Sequence, residues 1–186
     1  MLVIMLTLGG CGGSCDKAGA GTAAKKSDPA VADNQERHDN AKPQIADDPA
    51  DESFGPLRAG MSAAEAEKVL GPPTAKPALE EEGITGYFLS RWQWPDKGIS
   101  ITMSAESEDG PAVVHSISIT APCTLKTRKE IGIGSALAEV DKTYAAHKDQ
   151  EGSDEYLYVV ATEYIGTVFT FADGKVTEMY VGPAAE

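Results

Sequence analysis

Apolar and polar residues alternate along six segments in the C-terminal two-thirds of the chain. A period of two is typical of β-strands that bury one face and expose the other. A turn signal separates the second and third strands of each group of three; in the second group it is Asp173-Gly174, a dipeptide typical of hairpins. The six predicted strands are Tyr87–Trp94, Ile99–Met103, Val114–Ile119, Tyr156–Glu163, Thr167–Phe171 and Val176–Val181.

A helical pattern precedes each group of three strands. Gly60–Gly71 aligns with Gly134–Ala145 at an offset of 74 residues, and both segments carry apolar residues at helical spacing. In the first segment, Ser62 and Glu65 have the spacing of a capping box. The predicted apolar faces are Ala63, Ala66 and Leu70 in the first helix, and Leu137, Val140 and Tyr144 in the second.

The two halves predict a duplicated domain of the α+β class. We expect a helix plus a three-stranded antiparallel meander, present twice, with all strands in one sheet and the helices packed on one face. The first repeat covers residues 54–122 and the second covers residues 123–186.

The chain begins with a short apolar run, Leu2–Leu8. In a helix these residues would cover about 10 Å of a bilayer core of about 30 Å, so the run predicts a signal peptide, residues 1–10, and not a transmembrane helix. The next residues, Leu8-Gly9-Gly10-Cys11, resemble the lipobox of bacterial lipoproteins. That resemblance implies a mature N-terminus at Cys11 that carries fatty acyl chains such as palmitate. Gly12 and Gly13 lack the Asp that retains such proteins at the inner membrane, which favours the outer membrane.

Residues 11–53 comprise the lipidated cysteine and a predicted disordered tether. The segment has almost no large apolar residues, so burial cannot offset its ordering entropy. A flexible chain of this length spans about 35–40 Å and would hold the folded part clear of the membrane. Cys15 could pair with Cys123, but a disordered tether imposes no pairing geometry, which favours two free thiols.

The first helical segment also carries a family resemblance. Residues 60–73 have the form Gly-Met-Ser-x-x-Glu-x-x-x-x-Leu-Gly-x-Pro. Followed by a meander, this form resembles the BamE (SmpA/OmlA) family of outer-membrane assembly lipoproteins. The tandem arrangement resembles β-lactamase inhibitory protein, in which two such repeats build one curved sheet. The resemblance implies a role in assembly or inhibition through a protein partner, and it does not identify that partner.

Charge and composition narrow the possible ligands. Lys and Arg total 16 against 29 for Asp and Glu, and the net charge of −13 disfavours nucleic acid as a partner. Three cysteines are too few for a disulfide scaffold, and three scattered histidines provide few ligands for a zinc site. The acidic clusters lack the ligand spacing of a calcium loop. We therefore expect no metal, cofactor or small-molecule substrate.

The catalytic candidates are few and do not converge. Ser135 lacks the Gly-x-Ser-x-Gly context of a nucleophile and is expected to cap the second helix. His115 is expected to be a half-buried strand residue, and His147 to lie near the end of the second helix. Cys123 has basic neighbours in sequence that could lower its thiol pKa, which leaves a reactive thiol as an alternative.

The sheet face opposite the helices is the candidate binding surface. Tyrosine and arginine side chains on a hydroxyl-rich sheet are typical of surfaces that bind proteins. Tyrosine on an exposed sheet is equally expected where it only stabilises pairs of side chains on neighbouring strands. Trp92 and Trp94 are expected in the core. The predicted binding residues are Tyr87, Arg91, Tyr156, Tyr158 and Tyr180.

These patterns together predict a non-catalytic bacterial envelope lipoprotein. It would be anchored in the membrane at Cys11, face the periplasm or the exterior, and bind another envelope protein in an assembly or scaffolding role. The alternative is an inhibitor of a secreted hydrolase that uses the same sheet face. A third hypothesis is an enzyme that uses Cys123.

Overall fold

The computed structural model describes residues 52–161 and 165–183, in which nine strands and two helices form. Single 3-10 turns follow β4, at Pro95–Lys97, and α2, at Ala145–His147. The elements in chain order are β1 (Ser53–Phe54), β2 (Leu57–Arg58), α1 (Ala63–Leu70), β3 (Glu80–Glu81), β4 (Phe88–Trp94), β5 (Ile99–Ala105), β6 (Val113–Thr120), α2 (Leu137–Tyr144), β7 (Leu157–Ala161), β8 (Ile165–Ala172) and β9 (Lys175–Pro183).

Seven of the strands form one antiparallel sheet, in the order β3-β4-β5-β6-β9-β8-β7. The two halves of the chain meet where β6 pairs with β9, with Ser118 opposite Tyr180. β1 and β2 form a separate two-stranded sheet. Each of the six predicted strands is present with its ends shifted by at most two residues, except that Glu163 lies outside the described residues.

The predicted fold class is wrong. The described chain is mostly β, with a seven-stranded sheet, a two-stranded sheet and only two helices of eight residues each. The architecture is therefore not a helix plus a three-stranded meander. One reason for the wrong prediction is that β1, β2 and β3 have two residues each, which is too few to show alternation. β3, for example, is defined by the backbone pairing of Glu80 with Leu89 on β4.

The hydrophobic core lies between one face of the large sheet and the two helices. Strand residues expected to face the helices are buried, among them Ile101, Met103 and Phe169. From the helices, Leu70 and Tyr144 are buried as well, and the Tyr144 and Phe169 rings lie 5.2 Å apart between centroids. Burial of these aromatic and aliphatic side chains contributes most of the stabilisation available to the fold.

The two helices begin differently. The predicted capping box is confirmed at α1: Glu65 N–H donates to Ser62 Oγ at 3.3 Å, and Ser62 N–H donates to Glu65 Oε2 at 2.9 Å. In α2 the N-cap is Ala136, whose side chain has no oxygen. Only the return bond is present there, from Ala136 N–H to Glu139 Oε2 at 2.8 Å.

The segments that align at an offset of 74 residues make equivalent backbone contacts. Gly60 N–H donates to Val114 O in the first half, and Gly134 N–H donates to Val176 O in the second, both at 2.8 Å. A register shift also recurs, at Thr102/Met103 between β5 and β6 and at Thr170/Phe171 between β8 and β9. These contacts support the internal sequence alignment.

Loop segments pair with the parts of β4 and β7 that no neighbouring strand covers. Gln93 on β4 exchanges backbone hydrogen bonds with residues 74 and 75. On β7, Val159 O accepts from Asp149 N–H, and Val159 N–H donates to Ser153 Oγ. The backbone groups of these two residues are therefore already paired, and the two-residue strand β3 is the outer strand beside β4.

Several N-terminal predictions lie outside the described residues. They are the signal peptide, the lipobox with Cys11, Cys15 and most of the tether. Glu52 and Ser53, which the sequence places in the tether, instead belong to the folded part. Among the described residues no helix is both long and apolar enough to span a bilayer.

Candidate functional site

The open face of the large sheet, defined as the side opposite α1 and α2, carries the candidate binding surface. Strand alternation places small polar side chains there, mostly half-buried, from β5 and β6. The half nearer β7 is more apolar. Cross-strand registers put the following side chains on the open face: Arg91, Gln93, Ser100, Thr102, Ser116, Ser118, Thr120, Leu157, Val159, Val168, Thr170, Glu178 and Tyr180.

Tyr180 lies at the centre of the open face, where β6 and β9 pair. Its ring covers Gly182, because a Cβ at that glycine would lie 2.8 Å from Tyr180 Cζ and 2.5 Å from Ser116 Cβ. Its hydroxyl donates to Pro183 O at 3.3 Å. Burial raises the pKa of Tyr180, while a hydrogen bond from Ser116 partly opposes that shift. The ring is thus held flat and neutral on the sheet.

Arg91 lies on the same face, exposed, opposite Thr102. Together with Glu178 it lines a shallow groove of about 390 Å³, the polar groove, whose floor includes Ser100 and Ser118. Neither Arg91 nor Glu178 belongs to an ion pair within residues 52–161 and 165–183. Both charges are therefore available to groups outside this domain.

Tyr158 does not lie on the open face, so its predicted placement is wrong. It is fully buried on the helix side of β7, opposite Phe169 on β8. Its hydroxyl donates to Asp141 Oδ1 on α2 at 3.1 Å. Burial, together with the Asp141 carboxylate, raises the pKa of Tyr158 to about 12. Tyr158 therefore helps to fix α2 against the sheet.

The remaining aromatic predictions have mixed outcomes. Tyr87 and Tyr156 are both exposed, at 47% and 61%, but each precedes its strand and lies at an end of the sheet. The structure brings neither tyrosine into the polar groove with Arg91. Trp92 and Trp94 are buried, so their predicted core placement is confirmed.

A second and larger groove lies at the opposite end of β4 to β6. It measures about 580 Å³ and is lined by Tyr87, Val113 and His115, among others; we call it the Tyr87 groove. His115 is the extra residue where β6 shifts register against β5, between the pairs Met103–Val114 and Thr102–Ser116. It is half-buried, as predicted, and burial lowers its pKa while Glu82 partly opposes the shift.

The catalytic candidates occupy structural positions. Cys123 is buried, and burial raises the pKa of its thiol, which disfavours the reactive thiolate. Ser135 closes a turn by accepting from Gly132 N–H at 3.2 Å; the expected N-cap role falls to Ala136 instead. His147 is exposed in the 3-10 turn after α2. No cluster of possible metal ligands occurs among the described residues.

One buried polar cluster was not foreseen from the sequence. Glu52 accepts from Arg128 N–H and Tyr144 Oη, both at 2.8 Å, and Tyr144 Oη also lies 3.0 Å from Thr127 Oγ1. Burial, with the Glu52 carboxylate, raises the pKa of Tyr144. The acidic stretch before residue 54 gave no signal that one of its carboxylates would be buried.

Comparison with known proteins gives no relative: no family model, no curated protein and no solved structure matches the chain.

Proposed function

We propose that this protein is a lipid-anchored bacterial envelope protein that binds another envelope protein through the open face of its sheet and performs no catalysis. The anchor rests on the sequence Leu8-Gly9-Gly10-Cys11. Its acyl chains would place the domain on the periplasmic or exterior side of a membrane, with the outer membrane favoured by Gly12 and Gly13.

The observation that carries the proposal is the open face itself. Its polar groove is lined by Arg91 and Glu178, neither of which has an ion-pair partner in the described residues. Serine and threonine hydroxyls lie between these two charged side chains. Charged and hydroxyl groups of this kind give register and specificity to a protein interface, and Tyr180 adds a rigid aromatic surface beside them.

The candidate nucleophiles and bases support a role without catalysis. The Cys123 thiol has a raised pKa, and the Ser135 hydroxyl is engaged by a backbone amide. Nucleophilic catalysis by a side chain needs a nucleophile and a base within hydrogen-bond reach of each other. Each of these side chains instead serves the packing or a turn of its own segment.

Site-specific photo-crosslinking in cells tests the binding face. A photoreactive phenylalanine analogue replaces Gln93 or Thr120 in the polar groove, and in a control chain it replaces Val69, which is 41% exposed on α1. We expect a crosslinked protein partner from the two groove positions and none from Val69. Adding Arg91→Glu should weaken the crosslink at Thr120 at least about tenfold, since like-charge contacts at an interface cost several kcal/mol.

The identity of the captured protein separates the two expected roles. Capture of an assembly component supports the scaffolding role, whereas capture of a secreted hydrolase whose activity falls on binding supports the inhibitory one. Equal crosslinking from Val69, or none from either groove position, would contradict binding through the open face.

A further inference from the structure

The Tyr87 groove has the dimensions of a ligand site. Its volume of about 580 Å³ lies within the range of about 300–1,000 Å³ that is usual for small-molecule and side-chain pockets. Its walls come from the residue before β4, the end of β5, the turn after β5 and the start of β6. The lining includes Tyr87, Ala105, Glu106, Pro111, Val113 and His115.

Two exposed apolar side chains line this groove. Of the five large hydrophobic residues exposed in the described chain, these two are Tyr87 at 47% and Val113 at 39%. Isolated exposed apolar residues need no explanation, but a group of them around a concave surface is typical of a binding site.

Hydrogen bonds hold the walls of the groove in place. Tyr87 is fixed at both ends of its backbone, since its N–H donates to Thr85 Oγ1 at 3.3 Å and its carbonyl accepts from Glu82 N–H at 2.8 Å. On the facing turn, Gly110 N–H donates to Ser107 O at 2.9 Å. A ligand would therefore meet a preformed surface and would lose less free energy to ordering the protein.

The charge around the groove is negative. Glu106 lines it, Glu82 acts on His115 from the neighbouring turn, and no lysine or arginine is among the lining residues. Because burial lowers the pKa of His115, the imidazole adds no positive charge at neutral pH. An anion would be repelled here, and a cation placed over the Tyr87 ring would gain both Coulomb and cation–π attraction.

We propose that the Tyr87 groove is a binding site for an organic cation with an aromatic or aliphatic body, such as the side chain of arginine presented beside an apolar residue. The apolar body would contact Pro111 and Val113, and the cationic group would lie over the Tyr87 ring and face Glu106. The site stands apart from the polar groove, so it can be tested whether or not the open face binds a protein.

Three probes of one shape but different charge test this site: benzamidine, benzamide and benzoate. Each is titrated into the full chain, produced without lipid, and binding is followed by NMR chemical shifts. We expect benzamidine to shift signals of Val113, His115 and Gly110, and to bind at least about fivefold more tightly than benzamide, as a cation–π contact of about 1 kcal/mol implies. Benzoate should bind more weakly still.

Variants assign the binding to the groove. Tyr87→Ala should weaken benzamidine at least about fivefold for the same reason, whereas Tyr156→Ala, which removes an exposed tyrosine elsewhere, should leave its affinity unchanged. Glu106→Lys, in an exposed loop, should reverse the preference toward benzoate. Equal affinities for the three probes, no benzamidine shift at the groove, or an unchanged preference in Glu106→Lys would overturn the proposal.

Discussion

At the scale of single residues, Glu52 connects the start of the folded part to the second half of the chain. The residue is 5% exposed, and its carboxylate accepts from Ser53 N–H, Arg128 N–H and Tyr144 Oη. A buried carboxylate is tolerated only when donors surround it. The cluster therefore joins β1, the link between the two halves and α2 through one side chain.

Removing one donor from this cluster should destabilise the protein. Tyr144→Phe deletes the hydroxyl that donates to Glu52 and accepts from Thr127. We expect the free energy of unfolding to fall by about 1–3 kcal/mol, because the buried carboxylate loses a donor and the Thr127 hydroxyl loses its acceptor. Urea unfolding followed by circular dichroism measures the change. Tyr156→Phe is the matched control, since that tyrosine is exposed and should change stability little. Equal effects of the two substitutions would contradict the role given to the cluster.

His115 should make stability depend on pH. Burial lowers its pKa in the folded protein, so below its ordinary value of about 6.5 the unfolded chain takes up the proton more readily than the folded one. Stability should therefore fall as pH drops through that value, and this contribution is absent at higher pH. Between pH 7.5 and 5.5, the urea midpoint should fall less in His115→Gln than in the unsubstituted protein.

The matched control for that titration is His147→Gln, because His147 is exposed after α2. It should retain the pH dependence of the unsubstituted chain. If His115→Gln retains it as well, the half-buried imidazole does not contribute to the loss of stability in acid.

Alternation identified the faces of most strand residues but failed at Tyr158. In β5, polar and apolar residues alternate cleanly, so the core residues Ile101 and Met103 follow from the sequence. β7 reads Leu-Tyr-Val-Val-Ala, which is apolar on both faces, so its pattern does not distinguish inside from outside. Only the pairing of Tyr158 with Phe169 decides which face is buried.

At the scale of elements, the turn between β4 and β5 depends on one glycine. Gly98 has φ +63° and ends the 3-10 turn, and its carbonyl accepts from Thr120 N–H on β6 at 2.9 Å. A Cβ there would collide with Thr120 O and lie 2.9 Å from the Ala121 carbonyl carbon. The turn therefore needs glycine for its conformation and for the close approach of another segment.

Gly98→Ala should therefore cost more than the same change at a glycine of similar conformation. Gly174, with φ +68°, has open space within 4 Å of the position that an alanine methyl group would take, so Gly174→Ala should cost about 1 kcal/mol for the left-handed backbone alone. Gly98→Ala should cost at least about 2–3 kcal/mol, since backbone must also move. Thermal unfolding of the two variants measures the difference, and similar losses would show that the contact at Thr120 is unimportant.

The helices and the longer strands could be predicted because their patterns extend over many residues. Eight-residue helices with regular apolar faces and strands of five to nine residues leave such patterns. β1, β2 and β3 leave none, because a two-residue strand is defined by backbone pairing with a partner strand and not by its own residues. The balance between helix and sheet was misjudged because these short elements enlarge the β content while the helices remain two turns long.

At the scale of the whole molecule, one face of the large sheet stays open within the described residues. α1 and α2 cover the other face, and the segments around Thr74 and Asp149 pair with β4 and β7. The sequence indicated a hydroxyl-rich face. The structure shows in addition that Arg91 and Tyr87 line two different grooves. That separation follows from strand register and from the bulge at His115, which residue spacing alone does not reveal.

The proposed membrane attachment concerns the whole chain and would depend on Cys11. If two or three acyl chains are carried there, each buried methylene contributes about 0.8 kcal/mol, so the protein should sediment with membranes. Cys11→Ala removes the sulfur to which the lipid attaches and should move the protein to the soluble fraction. Cys15→Ala, four residues away, should leave it with the membranes, because the resemblance of Leu8-Gly9-Gly10-Cys11 to a lipobox predicts lipid on Cys11 alone. Membrane retention of the Cys11→Ala chain would show that something other than this lipid holds the protein, and the open face would then be a candidate for that attachment.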